Sequence, residues 1–570
     1  MNFDVEQFKT QFPLFVQTAN QSLVYLDNAA TTQKPQCVID AITHFYLHQN
    51  GNAQRASHRL ARAATDMVTH TRQLASEFLG ANNADEVVFT SGATEAINLV
   101  SYGLANLCSV GDEIVLLASE HHANLLPWQR LAEQKQCELV FLPADETGRS
   151  DFSRWSDVIN ECTRIVSISV ASNVLGEVID FTILAQIKQR FPSVIIVLDA
   201  SQIACHIPLQ SVQWQCDFLV CSAHKFYGPT GIGLLYAAPA LLEKMSPLHV
   251  GGEMVDHVTL QYSTFVGGVQ RFEAGTSSLS AIAGLQACLL FWQQQNRPAM
   301  QAYEQELVAY LHDQLSIVCS PSTGLQLITS PENNVGIATF ISTGNSFSLS
   351  DVEYWLDESD IAVRVGQHCA HTLWQSLVPI YGADNGLRIS LAAYNTYQDI
   401  DRLVAAMDDF LSASLQASST LSPAPTSVIE STYTNTYAPL GDDLSHLRWQ
   451  DLLGAPSWQK RFKTLLQWGN SIQAKPQVRE PHYLVKGCES LVWVQHQTVD
   501  NKHYFLVDSD ANVIKGLSAL LLFWFNGKTS EEISEIDIEE RYRELGLDKH
   551  LSVSRMNGFL ALLGAVNKCV

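Results

Sequence analysis

Between about residues 85 and 240, short runs of apolar residues alternate with longer stretches whose apolar positions recur at helical spacing. The apolar runs are EVVFT (86–90), EIVLLAS (113–119), ELVFLP (138–143), RIVSISV (164–170), SVIIVLD (193–199) and DFLVCS (217–222). Runs this short predict buried strands, and the stretches between them, such as 93–107, predict helices. The alternation indicates a largely parallel sheet with helices on both faces, and ligands then bind at the carboxyl ends of the strands.

The pattern stops at residues 411–441, where Ser, Thr, Ala and Pro predominate and Glu430 is the only charged residue. This composition predicts a flexible linker between a domain of residues 1–410 and a smaller module of residues 442–570. In that module the pattern predicts an amphipathic helix over 458–472, two paired strands in LVWVQHQ and HYFLVDSD, and a buried helix in NVIKGLSALLLFWF. The module is therefore expected to have an α+β fold.

Composition narrows the function classes. A chain of 570 residues predicts two or three domains, and a net charge of −23 argues against a nucleic-acid surface. The longest apolar stretch, between Lys515 and Lys528, is too short to span a bilayer, and the N-terminal segment does not resemble a secretory signal. The twelve cysteines lack CxxC pairs or zinc-finger spacing, so we expect no disulfide framework, no metal site and a reducing compartment, the cytoplasm.

A lysine follows the last of the apolar runs, in SAHKFYGPTGIG (222–233). Burial at a strand end disfavours the charged form of Lys225 and lowers its pKa, which makes the amine a good Schiff-base nucleophile. Ser222 and His224 flank it and could contact a phosphate, while the glycines allow close approach of the backbone. A surface lysine in a turn is the alternative interpretation of this motif alone.

Three further strand ends carry groups that complement this lysine. Asp199 ends the run SVIIVLD, where a pyridinium nitrogen would give its buried carboxylate a partner, and Gln202 could reach a ring hydroxyl. TSGATEAIN (90–98) opens a helix whose N-terminus suits a phosphate, and His122 in SEHHANLLPW could stack on an aromatic ring. Each alone could be a helix cap or a loop residue. Together the four strand ends predict a pyridoxal phosphate site.

The motifs TSGATEAIN, EHHANLLPW, SNVLGE, DASQ, SAHKFYGPTGIG, EAGT and RVGQHCA occur in this order. They resemble a cysteine desulfurase of the SufS/CsdA type (group II) over about residues 1–410. The resemblance implies an α/β fold, that of a fold-type I PLP-dependent transferase, with a mostly parallel seven-stranded sheet. It places the large domain at about residues 20–290 and a small α+β subdomain at about residues 1–19 and 291–410.

The resemblance also implies a role for each matching residue. The cofactor site would consist of Lys225 (covalent attachment), Asp199 (ring nitrogen), Gln202 (ring oxygen), His122 (ring stacking and proton transfer) and Thr94, Ser222 and His224 (phosphate). Thr276 of EAGT would reach this site from the partner subunit of a homodimer. The substrate carboxylate would be bound by Asn173 and Arg388, with Arg364 beside the entering cysteine. Cys369 of RVGQHCA would attack the substrate sulfur, which leaves a persulfide and releases alanine.

One segment departs from the family pattern. Where a VHR-x-x-H sequence is usual, this chain reads AQRASH, with Gln54 in place of the histidine and with Arg55 and His58 retained. This stretch is therefore left out of the predicted site.

The C-terminal module resembles the SufE/CsdE sulfur-acceptor family, through KGCESLVWV, DSDANVIKGL and SVSRMNGF. Cys488 corresponds to the acceptor cysteine, and Asp508, Asp510 and Arg555 fall in the shared segments. The run YLVKGC lacks the Asn that usually precedes the GC pair. A flexible linker with the length of residues 411–441 spans roughly 30 Å and gives an effective concentration on the order of mM. Sulfur transfer from Cys369 to Cys488 would therefore need no separate acceptor protein.

The leading hypothesis is a bifunctional cysteine desulfurase with its own acceptor, which serves an iron–sulfur scaffold or another sulfur recipient. A selenocysteine lyase, with L-selenocysteine as substrate, or another PLP-dependent lyase is the alternative enzyme, because the cofactor residues are shared. A sulfur carrier with an inactive cofactor domain is the alternative from another class. The intact Lys225, Asp199 and Cys369 argue against that carrier.

Overall fold

The computed structural model describes residues 3–54, 57–320, 322–343, 347–419, 442, 444, 447–455, 458–485, 491–509, 512–547 and 553–569. The chain forms two compact units. The first comprises Met1–Thr343 and Asp360–Val404, and the second comprises Gly344–Ser359 and Ala405–Val570.

A seven-stranded sheet forms the centre of the first unit. From one edge to the other its strands are Val87–Thr90, Gly233–Ala237, Phe218–Ser222, Ile195–Asp199, Thr163–Ser169, Glu113–Leu117 and Glu138–Leu142. Gly233–Ala237 runs antiparallel to both its neighbours, and the other pairs are parallel. All six predicted strands are confirmed. The antiparallel strand was not among them, because its short apolar run directly follows the glycine-rich motif.

Alternate residues of these strands belong to two different hydrophobic cores. In Glu113–Leu117, for example, Val115 and Leu117 pack into one core, whereas Ile114 and Leu116 pack into the other. Both faces of a mostly parallel sheet are therefore buried, which explains why its strands read as continuous apolar runs.

Helices cover both faces of the sheet. The longer ones are Gln36–His44, Arg59–Leu79, Ala93–Leu104, His122–Lys135, Thr182–Arg190 and Leu279–Gln293, and the shorter ones are Val5–Lys9, Pro13–Val16, Trp155–Val158 and Pro239–Leu242. The predicted helix at 93–107 is confirmed, with its last residues forming the 3₁₀ turn Ala105–Leu107. A small hairpin, Val255–Val258 with Ser263–Phe265, lies outside the main sheet.

A second, antiparallel sheet is formed by the later part of the first unit. Its strands, in spatial order, are Leu325–Leu327, Ile337–Ser342, Gly386–Ser390 and Arg364–Gly366. Helices Arg297–Val318 and His371–Tyr381 belong to the same region, and the N-terminal strand Val24–Tyr25 pairs in parallel with Ile361–Ala362. This sheet brings the segment before Cys369 next to strand Gly386–Ser390.

The second unit contains a hairpin and several helices. Strands Val492–Val499 and Lys502–Ser509 pair antiparallel, and Asp500 and Asn501 between them both have positive φ, as a two-residue type I′ turn requires. The helices are Leu349–Glu358, Trp449–Leu453, Trp458–Asn470, Asn512–Phe525, Ser530–Ser534, Ile538–Leu545 and Val553–Asn567. The two paired strands and the helices predicted at 458–472 and 512–525 are confirmed.

The beginning of the predicted linker is helical. Helix Tyr397–Ser419 continues through residues 411–419, so the prediction of a flexible segment from residue 411 is wrong for these nine residues. LSASLQASS contains neither Pro nor Gly, and its Ala, Leu and Gln propagate a helix that has already formed. Residues 420–441 of the predicted linker lie outside the described residues.

In the described part of the chain, no helix has both the length and the apolar character that crossing a membrane requires.

Candidate active site

A cavity of about 300 Å³ lies at the carboxyl ends of the parallel strands in the first unit. Ten of the predicted site residues line it: Thr94, Asn173, Asp199, Gln202, Ser222, His224, Lys225, Arg364, Cys369 and Arg388. Other lining residues include His121, Ser169, Ser201 and His368. The two sheets and the loops of the first unit therefore bring together side chains from positions 94 to 388 around one cavity.

Lys225 ends the 3₁₀ turn Ala223–Lys225, directly after strand Phe218–Ser222. Burial is the main reason why the pKa of this amine falls to about 8, and the nearby carboxylate of Asp199 opposes the shift. A substantial fraction of Lys225 is therefore neutral near pH 8, the form that attacks an aldehyde.

Asp199 ends the neighbouring strand Ile195–Asp199 and is buried. Its Oδ1 accepts a hydrogen bond from the backbone N of Ser201 at 2.9 Å, which fixes the carboxylate at the strand end. Gln202 donates its Nε2 to the carbonyl of Ala29 at 3.0 Å, so its side chain is held against the cavity wall. The placement of Asp199 and Gln202 agrees with the sequence prediction, while their contacts to a cofactor remain predictions.

The residues predicted to bind the phosphate lie where helix Ala93–Leu104 begins. Ser222 Oγ accepts from the backbone N of Ala93 at 2.8 Å, which leaves its hydroxyl proton for a ligand. A Cβ atom on Gly233 would lie 2.5 Å from Gly92 Cα, so the close approach of these two segments requires glycine at 233. The helix N-terminus, Thr94 and Ser222 together suit a phosphate group.

His224 lines the same cavity as Thr94 and Ser222. Its Nδ1 is 3.2 Å from Thr31 Oγ1. Burial first, and then the positive charges of Lys225 and Lys34, lower its pKa to about 4. His224 is therefore a neutral hydrogen-bonding group at neutral pH.

The structure corrects the prediction for His122. The histidine that lines the cavity is His121, whereas the His122 ring stacks on His371 at 4.6 Å and its Nε2 lies 2.7 Å from His371 Nδ1. His121 is the N-cap of helix His122–Lys135 and its side chain bonds back to that helix, while His122 is the first helical residue and faces away. The motif shows two adjacent histidines, and only the helix start decides which one faces the cavity.

The capping hydrogen bond fixes the tautomer of His121. Its Nδ1 accepts from the backbone N of Ala123 at 3.0 Å, so the ring proton resides on Nε2. Burial lowers the pKa of His121 to about 4, the charge of Lys225 adds to the shift, and Asp199 opposes it.

We expect His121 to stay neutral, with its proton on Nε2, from pH 8 down to about pH 5. A pH titration of the imidazole ¹⁵N shifts by NMR checks this, with exposed histidines titrating near 6.5 as the reference. A His121 ring that is charged at pH 6 would contradict both the tautomer and the direction of the pKa shift.

Cys369 is exposed at the cavity wall and has an unusual backbone. His368 and Cys369 adopt φ values of 51° and 57°, a conformation that costs a non-glycine residue on the order of 1 kcal/mol. Two long-range hydrogen bonds hold this turn: His122 N donates to the carbonyl of Cys369 at 2.8 Å, and Asn173 Nδ2 donates to the carbonyl of His368 at 2.6 Å. The exposed thiol is therefore presented on a turn fixed from two sides.

Thr276 and Gln54 do not line this cavity. They line a separate, much smaller cavity of about 30 Å³, together with Glu253 and Glu273. His58 accepts from the backbone N of Ala61 at 3.2 Å, so it is the N-cap of helix Arg59–Leu79. Arg55 lies outside the described residues.

The model of the aminotransferase class-V family matches residues 24–403. The chain belongs to the class-V aminotransferase family. A second model, the Fe-S metabolism associated domain SufE, matches residues 449–570. One chain thus carries both a class-V aminotransferase domain and a SufE domain.

Curated relatives of this chain are named cysteine desulfurases or probable cysteine desulfurases. That of Yersinia pestis (strain Pestoides F) is 39% identical over 412 residues, which are 71% of this chain and 98% of the relative. That of Synechococcus elongatus is 37% identical over 418 residues, which are 73% of this chain and 65% of the relative. A probable cysteine desulfurase of Mycolicibacterium paratuberculosis is 37% identical over 407 residues, which are 71% of this chain and 58% of the relative. The chain thus spans less than two thirds of the length of the last two.

Solved structures agree with this grouping. Cysteine desulfurase CsdA from Escherichia coli superimposes with a TM-score of 0.65 at 33% identity, covering 72% of this chain and 99% of the other. The apo cysteine desulfurase from Thermococcus onnurineus gives a TM-score of 0.66 at 30% identity, with 71% and 98% covered. The predicted fold class, an α/β PLP-dependent transferase, is confirmed.

The cavity fits pyridoxal 5′-phosphate. A buried carboxylate at Asp199 has no cationic hydrogen-bond partner among the described residues, a lysine with a lowered pKa faces it, and a helix N-terminus with Ser222 provides donors for a phosphate. Lys225, Asp199 and the start of helix Ala93–Leu104 would hold the cofactor, which when bound delocalises negative charge from the substrate Cα. The neutral imidazole of His121 lies on the same cavity and would face the cofactor ring.

In the SufE domain, Asp508 is fully buried and receives hydrogen bonds from the backbone N of Lys475 and from Arg479 Nε, each at 2.8 Å. These bonds lower the pKa of Asp508 although burial opposes the shift. Asp508 therefore ties strand Lys502–Ser509 to the segment around residues 475–479. Arg555 belongs to helix Val553–Asn567, and Cys488 and Asp510 lie outside the described residues.

Proposed function

We propose that this protein is a pyridoxal phosphate-dependent cysteine desulfurase that converts L-cysteine to L-alanine and transfers the sulfur within its own chain. The observation that carries the proposal is the presence of Cys369 on the same cavity as Lys225 and Asp199. In the proposed reaction the Cys369 thiolate attacks the substrate sulfur, the carbon–sulfur bond breaks, and the bonding electrons remain with the substrate carbon, which is then protonated to give alanine.

The test of this activity is the conversion of L-cysteine by the purified holoenzyme. We expect alanine and sulfane sulfur in equal amounts, because each carbon–sulfur bond broken yields one of each. Amino-acid analysis and cyanolysis measure the two products. Pyruvate and ammonia in place of alanine would identify a different lyase and overturn the proposal.

We further propose that Cys488 accepts the persulfide sulfur from Cys369. The match to the SufE domain and the position of Cys488 in KGCES support this role. A tether raises the effective concentration of the acceptor to the order of mM, so transfer would not depend on a second protein.

Replacing Cys488 with serine is expected to leave the first turnover intact and to slow multiple turnover roughly tenfold without added reductant, because the persulfide on Cys369 is no longer cleared. Rapid-quench measurement of alanine separates the two phases. Cys569→Ser, which removes an exposed cysteine of the same unit, serves as the control. Equal steady-state rates for the wild type and Cys488→Ser would refute the relay while leaving the desulfurase intact.

We propose a homodimer, in which Thr276 contributes to the cofactor site of the partner subunit. The location of Thr276 outside the cavity of its own chain supports this assignment. The downstream recipient is proposed to be an iron–sulfur scaffold or another sulfur acceptor in the cytoplasm, where a catalytic thiol is kept reduced. Sedimentation equilibrium of the holoenzyme measures the oligomeric state directly.

A further inference from the structure

Asp27 lies behind the two arginines of the cavity. Its Oδ1 accepts from Arg388 Nη2 at 3.0 Å, and its Oδ2 accepts from Arg364 Nη2 at 2.7 Å and from Arg364 Nε at 3.0 Å. Asp27 is 7% exposed, whereas both arginines line the cavity. One buried carboxylate therefore joins both cationic side chains.

The two arginines are direct neighbours across a pair of strands. Arg364 of strand Arg364–Gly366 is the register partner of Arg388 in strand Gly386–Ser390. Side chains in such a pair lie on the same face with Cβ atoms roughly 5 Å apart, and like charges in this position destabilise the sheet. Arg388 is only 3% exposed, so its charge also lacks hydration. The pair requires a nearby carboxylate.

A third segment delivers that carboxylate. Strand Val24–Tyr25 pairs with Ile361–Ala362, and the backbone N of Ser390 donates to the carbonyl of Leu26 at 2.7 Å. Asp27 itself forms an isolated parallel bridge with Ser390. The N-terminal segment is thus hydrogen-bonded to both arginine-bearing segments, and its next side chain lies between the two guanidinium groups.

These contacts set the orientation of Arg388. Its Nη2 is bonded to Asp27, and its Nη1 donates to the backbone carbonyl of Asn173 at 2.9 Å. Its Nε is buried and has no hydrogen-bond partner in the described residues. Each of the two Nη atoms carries a second N–H and Arg388 lines the cavity, so a ligand carboxylate there can accept from the guanidinium group.

We propose that Asp27 is a positioning residue for recognition of the substrate α-carboxylate, which acts by holding Arg388 and Arg364 side by side at the cavity. The inference rests on the proposed function, since it assumes an α-amino acid substrate. Within the part of the chain that the structure describes, the hydrogen bonds of the Asp27 carboxylate go to these two arginines, so we expect its charge to affect mainly ligands that carry a carboxylate.

The role of Asp27 is tested by comparing two ligands that differ only in whether they carry the carboxylate. L-alanine and ethylamine are titrated into the holoenzyme, and their dissociation constants are measured from the change in cofactor absorbance. Asp27→Asn keeps the shape and removes the charge. We expect about tenfold weaker binding of L-alanine and a change of less than twofold for ethylamine, with KM for L-cysteine raised more than kcat is lowered. Equal weakening of both ligands would overturn the proposal, because a purely structural residue affects both.

Arg364→Gln provides the second variant, since it removes one member of the like-charge pair at a half-exposed position. Asp27 should matter less without that neighbour, so the double variant should lose less L-alanine affinity than the product of the single losses. If Asp27→Asn alone does not fold, the double variant is still expected to fold, because the like-charge pair is gone. If the double variant does not fold while Arg364→Gln does, Asp27 has a structural role and the proposal is overturned. Because binding requires no desulfuration, failure of the enzyme to release alanine from L-cysteine would contradict the proposed function alone.

Discussion

Replacing Cys369 with serine is expected to lower alanine release from L-cysteine by roughly a thousandfold or more, because a neutral hydroxyl is a poor nucleophile toward sulfur. Cys369 is not among the residues proposed to hold the cofactor, so the absorbance of the bound cofactor should be unchanged. Alanine formation by amino-acid analysis and the visible spectrum of the same sample measure the two properties together.

Cys162→Ser is the matched control for this variant, because Cys162 is also an exposed cysteine of the first unit and does not line the cavity. It is expected to retain wild-type activity. A Cys369→Ser protein that still forms persulfide would show that another cysteine is the nucleophile.

Replacing Lys225 with alanine is expected to abolish both covalent attachment of the cofactor and turnover. The buried amine, with its pKa lowered to about 8, is the group proposed to react with the cofactor aldehyde. Because the neutral amine is the reactive form, attachment to the apo protein should accelerate as the pH rises toward 8 and level off above it. Borohydride reduction followed by peptide mass spectrometry should place the pyridoxyl group on Lys225 in the wild type.

Lys244→Ala, at an exposed lysine, is the control and should retain both cofactor and activity. A pyridoxyl group found on another lysine, or full activity of Lys225→Ala, would contradict the assignment of the site.

The sheet and most of the cavity could be predicted from the sequence, because both follow from local patterns. Buried parallel strands are short apolar runs, and Lys225 and Asp199 are conspicuous as ionisable residues at the ends of such runs. Their convergence follows from the geometry of a parallel sheet, in which the carboxyl ends of the strands share one edge.

The features that the sequence did not reveal depend on contacts between distant segments. The contribution of Asn173 to the Cys369 turn comes from a hydrogen bond across 195 positions, and the role of Asp27 depends on the pairing of an N-terminal strand with residues near 361 and 390. No periodicity marks either residue. The prediction of His122 in place of His121 is wrong for another reason. The residue at which a helix begins is the least certain part of a sequence-based prediction, and here it decides which histidine lines the cavity.

The proposed transfer carries sulfur from L-cysteine to Cys369 and then to Cys488. Mass spectrometry of alkylated peptides, taken at successive times after one equivalent of L-cysteine is added to the holoenzyme, tests it most directly. We predict that a persulfide forms first on Cys369 and then declines as the persulfide on Cys488 rises, and that Cys369→Ser shows neither. A persulfide that reaches Cys488 in the Cys369→Ser variant, or before it is present on Cys369 in the wild type, would contradict the account.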